Sequence, residues 1–288
     1  MASRPFTLRQ PRQRTTCVVF SSPHSGAAYP AEFLAQSLLD AKTIRSSEDA
    51  FVDELFAAAP DFGAPLLAAR TPRAYVDLNR GIEELDPALI DGVGRRAHNP
   101  RVSSGLGVIP RVVSNGRAIY RGKISKVEAD ARLKDNWVPY HAELKRLLTE
   151  AKRRFGEAIL IDCHSMPHEA LDPVSPPGGP RPDVVLGDRF GAAASHELVD
   201  RIESIFSGAG LIVARNTPFA GAYITQSYGR PTQNCHAVQV EIDRSLYMDE
   251  RLICRRPDFE AFKKLMTSAV AAIAEIGRPA QEQPLAAE

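Results

Sequence analysis

Short apolar runs and longer amphipathic stretches alternate along most of this 288-residue chain. The short runs predict strands at residues 17–21, 65–69, 74–78, 158–162, 184–187, 211–214 and 237–242. The amphipathic stretches predict helices at residues 31–39, 49–59, 127–155, 191–206 and 257–276. Such alternation is typical of an α/β fold in which helices cover both faces of a mixed, mostly parallel sheet.

Two of the apolar runs end abruptly in polar residues that include a histidine. The run at 159–161 continues as D-C-H-S and delivers His164, and the run at 18–20 continues as S-S-P-H-S-G and delivers His24. Open α/β sheets place their ligand sites at the carboxyl ends of the strands. The two histidines therefore suggest one shared metal site, although two unrelated loop histidines would produce the same pattern.

A catalytic zinc usually has three protein ligands drawn from His, Asp and Glu, and keeps its fourth position for water or substrate. Asp49 and Glu48, at the start of the predicted helix 49–59, are candidates for the third ligand. Acids are also favoured at helix N-termini by capping and by the helix dipole alone. The spacing leaves the choice between the two acids open.

Glu241 lies inside the apolar run A-V-Q-V-E-I-D. A carboxylate in such a strand is costly unless it is paired or functional. Burial would raise its pKa, which suits a general base. The alternative is an edge strand whose polar residues, including Gln239 and Asp243, face solvent.

Candidate substrate contacts follow two other apolar runs. Arg73 and Arg80 flank the segment D-L-N-R and could bind a carboxylate in bidentate fashion, although a lone arginine more often pairs with a surface acid. The segment N-T-P-F-A-G-A-Y offers Gly221, which allows a close backbone approach, and Tyr223 as a hydrogen-bond donor. By itself that segment could equally be an ordinary turn.

The chain divides into a predicted loose arm at 1–14, one α/β domain at 15–276 and a polar tail at 277–288. Two long connections, 81–121 and 165–182, lack periodicity and follow polar strand ends, so we expect them to form pocket walls or lids.

The amino-acid composition indicates which classes of molecule the protein is expected to bind. The chain has 36 basic and 35 acidic residues and no basic stripe, which predicts neither a nucleic-acid nor a membrane partner. We expect a cytoplasmic protein with a small-molecule ligand. Its four cysteines form no C-x-x-C pair. The G-x-S-x-G, G-x-x-x-x-G-K-[ST] and G-x-G-x-x-G motifs are also absent.

The chain carries seven short segments in a defined order: P-H-S-G at 23–26 with Y-P at 29–30, E-D at 48–49 with V-D-E-L at 52–55, D-L-N-R at 77–80, P-Y-H at 139–141, D-C-H-S-M at 162–166, N-T-P-F at 216–219 with Gly221, and Q-V-E-I at 239–242. Together they resemble the N-formylglutamate amidohydrolase family across residues 17–250. The likeness extends more distantly to aspartoacylase and the zinc carboxypeptidases, which share D-L-N-R and a late glutamate.

This resemblance implies a three-layer αβα fold of the zinc-peptidase (phosphorylase/hydrolase-like) type with one divalent metal, Zn²⁺ by preference. It implies the following roles: His24, Asp49 and His164 as metal ligands, Glu241 as the base, and Arg73, Asn79 and Arg80 as pocket residues. The sequence departs from the pattern of these relatives at two positions. Ala27 stands where the distant relatives carry the glutamate of H-x-x-E, and Ala50 replaces an aromatic residue usual in the family.

The function that the resemblance implies is hydrolysis of an N-acyl, especially N-formyl, group from an acidic amino acid such as glutamate. The arginines would hold the substrate carboxylate and stabilise the oxyanion. A zinc carboxypeptidase or another N-acyl amino acid deacylase is the alternative on the same scaffold. A non-catalytic module that binds a carboxylate or a peptide is the alternative of another class.

Overall fold

A seven-stranded mixed sheet organises the computed structural model, which describes residues 4–94, 99–175 and 179–279. Its strands are β1 (Phe6–Arg9), β2 (Val18–Ser22), β3 (Leu66–Ala69), β4 (Ala158–Met166), β5 (Val184–Gly187), β6 (Val213–Arg215) and β7 (Cys235–Asp243). Two short strands, β8 (Met248–Asp249) and β9 (Cys254–Arg255), form a separate hairpin.

The strand order in the sheet is β1-β3-β2-β4-β7-β5-β6. Strands β3, β2, β4 and β7 run parallel to one another, and so do β5 and β6. Strand direction changes twice across the sheet, since β1 is antiparallel to β3 and β5 is antiparallel to β7. The mixed, mostly parallel sheet that the sequence predicts is therefore confirmed.

Helices lie on both faces of the sheet. They are α1 (Ala31–Gln36), α2 (Val52–Leu55), α3 (Pro100–Ser103), α4 (Lys126–Arg132), α5 (Val138–Phe155), α6 (His196–Gly208), α7 (Tyr223–Tyr228) and α8 (Phe259–Ile276). A π-helical turn, Leu133–Trp137, joins α4 to α5, so the predicted helix 127–155 is one nearly continuous unit.

Two hydrophobic cores separate the layers. Phe20, Ile161 and Val240 point to one face, where they pack against α2, α6 and α8. Val19 and Leu160 point to the other face and pack against α1, α4 and α5. Because successive residues of a strand point to opposite faces, one apolar run supplies both cores.

The predicted strand at 74–78 is wrong. These residues form turns, in which Pro72 O accepts hydrogen bonds from both Tyr75 N and Val76 N. Ala74, Val76 and Leu78 are nevertheless buried, so the alternation of apolar residues arises from packing of an irregular segment and not from a sheet.

Several predicted helices are shorter than their patterns suggest; the one predicted at 31–39, for example, ends at Gln36. Only Val52–Leu55 of the predicted helix 49–59 is α-helical, because Phe51 adopts a left-handed conformation (φ 66°) just before it. The helix predicted at 191–206 begins at His196, where the Ser195 side chain accepts a hydrogen bond from Leu198 N and caps it.

The prediction of a loose arm at 1–14 is wrong for Phe6–Arg9, because these residues form β1. Phe6–Arg9 pairs along β3, and Phe6 is buried against Tyr140. Arg14 is buried too, and its Nη1 donates to Leu147 O over 3.0 Å. The tail from residue 280 onward lies outside the described residues, as do residues 95–98 and 176–178 of the two long connections.

Strand β4 extends four residues beyond its predicted end, so His164 and Ser165, like Asp162, belong to the strand itself. Glu241 lies in β7, an interior strand between β4 and β5, which rules out the edge-strand alternative. None of the described helices is both long and apolar enough to span a membrane.

Candidate active site

The carboxyl ends of β2, β4 and β7 bring the predicted site residues together. His24 follows β2, His164 lies near the end of β4, and Glu241 occupies the position opposite His164 on β7. All three side chains are buried. The three strands are adjacent and parallel, so their polar ends meet at one edge of the sheet, where the sequence predicts the site.

His24, Asp49 and His164 form a compact group of potential metal ligands. One ligand atom from each residue lies within 4.8 Å of the other two. Asp49 Oδ2 is 2.9 Å from His164 Nδ1 and 3.5 Å from His24 Nδ1. The backbone contributes to this proximity, because Asp49 N donates to His24 O over 3.0 Å.

The opposite nitrogen of each imidazole contacts a buried carboxylate. His24 Nε2 lies 2.8 Å from Asp77 Oδ1, and His164 Nε2 lies 3.0 Å from Asp162 Oδ2. Asn79 Nδ2 is also 3.1 Å from His164 Nε2. These contacts fix the ring orientations and direct both Nδ1 atoms toward Asp49, which is the arrangement common around metal-bound histidines.

Arg244 completes the surroundings of Asp49. Its Nη2 donates to Asp49 Oδ1 over 3.0 Å, and its Nε donates to Ser165 Oγ over 3.2 Å. Burial would raise the pKa of Asp49, but the adjacent imidazoles of His164 and His24 overcome this effect and hold the pKa of Asp49 well below its usual range. Glu48 instead pairs with Arg45, so the geometry favours Asp49 over Glu48 as the third ligand.

Glu241 has the properties of a proton acceptor. Burial raises the pKa of its carboxyl to about 7; the positive charge of His164 opposes this rise and the negative charge of Asp49 adds to it. Gln239 Nε2 donates to Glu241 Oε1 over 2.7 Å and orients the carboxyl. A carboxyl with a pKa near neutrality is suited to accept and return a proton.

A cavity of about 460 Å³ opens onto these residues, a volume that accommodates a small metabolite. Arg73, Arg80, Arg101 and Arg244 contribute to its wall. Arg73 Nε lies 3.1 Å from Asp77 Oδ2. Four guanidinium groups around one small cavity indicate an anionic ligand.

The backbone at Gly221 forms part of the cavity wall. Gly221 has φ +110°, a region that disfavours residues with a Cβ, and a Cβ there would lie 2.5 Å from Thr225 Oγ1. Asn79, also in the wall, accepts a hydrogen bond from Ile224 N through Oδ1 over 2.8 Å. The long connection 81–121 contributes wall residues as well, among them Leu106.

The structure does not bring every predicted residue to this cavity. Tyr223 lies outside it: its ring packs 5.8 Å from Trp137 and 5.5 Å from His141, and it lines a neighbouring cavity. The sequence interpretation also missed Arg244 and Gln239. Both lie within two or three residues of Glu241, and that proximity is the only sequence signal that could have identified them.

The donor set fits a divalent metal such as Zn²⁺. Two histidines and one carboxylate are the ligand types of catalytic zinc sites. His24 Nδ1 is buried and has no hydrogen-bond partner among the described residues. A buried nitrogen of this kind is costly unless something binds it, and a metal ion beside Asp49 Oδ2 and His164 Nδ1 would do so.

A family model described as N-formylglutamate amidohydrolase matches residues 16–248 of the chain. N-formylglutamate deformylase of Pseudomonas aeruginosa is 32% identical over 242 residues, which cover 81% of this chain and 83% of that protein. The Pseudomonas putida protein of the same name is 30% identical over 240 residues, which cover 81% of this chain and 82% of that protein.

A solved structure gives the same result. The N-formylglutamate amidohydrolase of Ralstonia eutropha JMP134 superimposes with a TM-score of 0.89 at 35% identity and covers 96% of this chain and 99% of its own. A gene product of Agrobacterium tumefaciens, at a TM-score of 0.62 and 18% identity over 94% of this chain and 96% of its own, shares the fold.

Proposed function

The chain belongs to the N-formylglutamate amidohydrolase family, and we propose that it hydrolyses the formyl amide of N-formylglutamate to formate and glutamate. The observation that carries the proposal is the convergence of the His24–Asp49–His164 group and the buried Glu241 on one arginine-lined cavity. The relatives that bear the name N-formylglutamate deformylase match over four fifths of the chain.

His24 Nδ1, Asp49 Oδ2 and His164 Nδ1 are the atoms that would hold a divalent metal, with Zn²⁺ the preferred ion for this donor set. When bound, such an ion polarises an amide carbonyl and lowers the pKa of water. Asp77 and Asp162 lie against the opposite imidazole nitrogens, so with an ion bound each ring would donate its Nε2–H to that aspartate and offer the lone pair of Nδ1 to the ion.

Glu241 moves the proton during hydrolysis. As a carboxylate it accepts a proton from the attacking water, whose oxygen forms a bond to the formyl carbon. It then donates that proton to the amide nitrogen as the carbon–nitrogen bond breaks, which releases the amino group of glutamate. Gln239 keeps the carboxyl oriented through the bond to Oε1.

The arginines position the substrate. Arg73 and Arg80 both lie near Asp77, at 3.1 and 4.0 Å, which leaves part of each guanidinium available to the cavity that they line. We assign two tasks to this pair of arginines: they bind the α-carboxylate, and they stabilise the oxyanion that develops on the formyl oxygen. Asn79 and the Gly221 backbone complete the contact surface.

The test is turnover of a panel of substrates by the purified, zinc-loaded protein. The panel contains N-formylglutamate, N-acetylglutamate, N-formylleucine and a peptide with a free C-terminal glutamate, and formate and free amine are both quantified. The proposal expects the highest kcat/KM for N-formylglutamate and equal amounts of formate and glutamate. Higher activity on the peptide would instead assign the site to a carboxypeptidase.

A further inference from the structure

We infer that Arg101 binds the side-chain carboxylate of the substrate and thereby selects acidic over neutral N-formyl amino acids. The inference rests on the proposed function and adds to it a specificity-determining residue that lies outside the seven segments on which the resemblance was recognised. Arg101 belongs to the four-residue helix α3 in the long connection after Arg80, and it lines the cavity that contains the metal-ligand group.

Arg101 differs from the other arginines of the cavity in its ion pairs. Arg73 and Arg80 share Asp77, and Arg244 pairs with Asp49. Within 4–94, 99–175 and 179–279, no carboxylate oxygen lies within 4.0 Å of a guanidinium nitrogen of Arg101. Its charge is therefore available to an anionic group of the ligand.

The backbone that carries Arg101 is firmly held. The Asn99 side chain caps α3 by accepting hydrogen bonds from Arg101 N and Val102 N. Asn99 Nδ2 donates to Glu84 Oε2 over 3.1 Å, and Glu84 Oε1 accepts from Gly81 N over 2.8 Å. Helix α3 is thus tied to the residue that follows Arg80.

A second link joins the two arginines. Arg80 Nε donates to Leu106 O over 3.1 Å, and Leu106 N donates to Arg101 O over 2.8 Å. Both guanidinium groups therefore stand on one hydrogen-bonded unit at one wall of the cavity. Two cationic side chains on one hydrogen-bonded unit suit a ligand with two carboxylates, because the backbone that carries them needs little further ordering on binding.

Electrostatics at this wall supports the same conclusion. Burial lowers the pKa of Arg80; the positive charges of Arg73 and Arg101 lower it further, while Asp77 opposes the change. The guanidinium groups therefore repel one another. A dianionic substrate supplies one carboxylate for the Arg73–Arg80 side and one for Arg101, which relieves that repulsion, whereas a neutral side chain leaves Arg101 without a partner.

The experiment compares N-formylglutamate with N-formylglutamine, which has nearly the same shape and lacks the side-chain charge. Arg101→Met should lower the ratio of kcat/KM for the two substrates by about 10- to 100-fold, mostly through KM for N-formylglutamate. Arg101→Lys should restore part of the ratio. Arg121→Met, an equal charge change at an exposed position of the same connection, should leave the ratio at the wild-type value.

The outcomes separate this inference from the proposed function. A wild-type enzyme that prefers N-formylglutamate, with an Arg101→Met ratio that is unchanged or with equal losses on both substrates, would overturn the role of Arg101 alone. A wild-type enzyme that hydrolyses neither substrate would overturn both. Should Arg101→Met fail to fold, Arg101→Gln gives the same comparison with a polar side chain, and a thermal melt identifies the usable variant.

Discussion

Arg244 and Asp49 form a buried ion pair in which each oxygen of the aspartate has a separate partner. Arg244 Nη2 lies 3.0 Å from Oδ1, while Oδ2 lies 2.9 Å from His164 Nδ1. The arginine therefore fixes the plane of the carboxylate and leaves one oxygen directed toward the two histidines. Neither side chain is exposed by more than a few per cent.

Arg244→Met should weaken metal binding, because Asp49 Oδ1 then remains buried without a partner and the carboxylate can rotate. Loss of such a supporting contact typically lowers metal affinity by about 10- to 100-fold. Competition with a zinc chelator measures the change, and Arg244→Lys, which keeps the charge, should show a smaller loss. An unchanged zinc Kd in Arg244→Met would show that Arg244 does not orient Asp49.

Glu241→Gln should reduce kcat by about 10²- to 10⁴-fold, because the amide cannot accept a proton from water. The zinc content should stay at the wild-type value, since Glu241 is not part of the ligand group. Initial rates and metal analysis on the same preparation test both statements. Full turnover by a zinc-loaded Glu241→Gln variant would remove Glu241 from the role of base.

The site residues that the sequence predicts lie mostly at the polar ends of strands. His24, His164 and Glu241 lie at predicted strand ends, and topology brings those ends together. The choice between Asp49 and Glu48 cannot be made from the sequence, because it depends on which adjacent side chain the irregular backbone turns inward. That backbone leads into a left-handed residue, Phe51, which no periodic pattern indicates.

Arg101 and Arg244 illustrate why the remaining site residues are harder to predict. Each is one of many arginines, and only tertiary contacts distinguish it from a surface residue. The false strand at 74–78 and the unpredicted strand Phe6–Arg9 have a related cause. Apolar alternation reports which side chains are buried, whereas pairing with a distant strand depends on partners that the local sequence does not specify.

Phe6→Ala tests whether the N-terminal segment is part of the folded core. Phe6 is 7% exposed and packs edge-on against Tyr140 at 6.3 Å, so its truncation should lower the free energy of unfolding by about 3 kcal/mol. Thr7→Ala, at an exposed position of the same strand, should change it by less than about 0.5 kcal/mol. Equal urea midpoints for the two variants would indicate a loose arm.

His141 should make stability depend on pH. Burial lowers its pKa to about 4 from an ordinary value of 6.5, and its Nε2 lies 2.8 Å from Leu78 O. Between these two pKa values the unfolded chain binds a proton at His141 more readily than the folded protein does. The contribution of His141 to the free energy of unfolding is therefore largest above about pH 6.5 and declines as the pH falls. The contribution lost between pH 7.5 and pH 5 is about 2 kcal/mol.

Urea unfolding of wild type and His141→Gln at several pH values isolates this contribution. The difference in unfolding free energy between the two proteins should narrow as the pH falls, because glutamine does not titrate. A difference that stays constant from pH 7.5 to pH 5 would mean that His141 titrates normally in the folded protein.

Zinc content measured together with activity tests the central claim most directly. Wild type and His164→Ala are purified identically, analysed for bound metal and assayed with N-formylglutamate before and after addition of Zn²⁺. The account predicts about one zinc per chain in the wild type, with formate release that chelation removes and zinc restores, and neither zinc nor activity in His164→Ala. A wild-type protein that retains full activity without bound metal, or a His164→Ala variant that binds zinc as tightly as wild type, would contradict it.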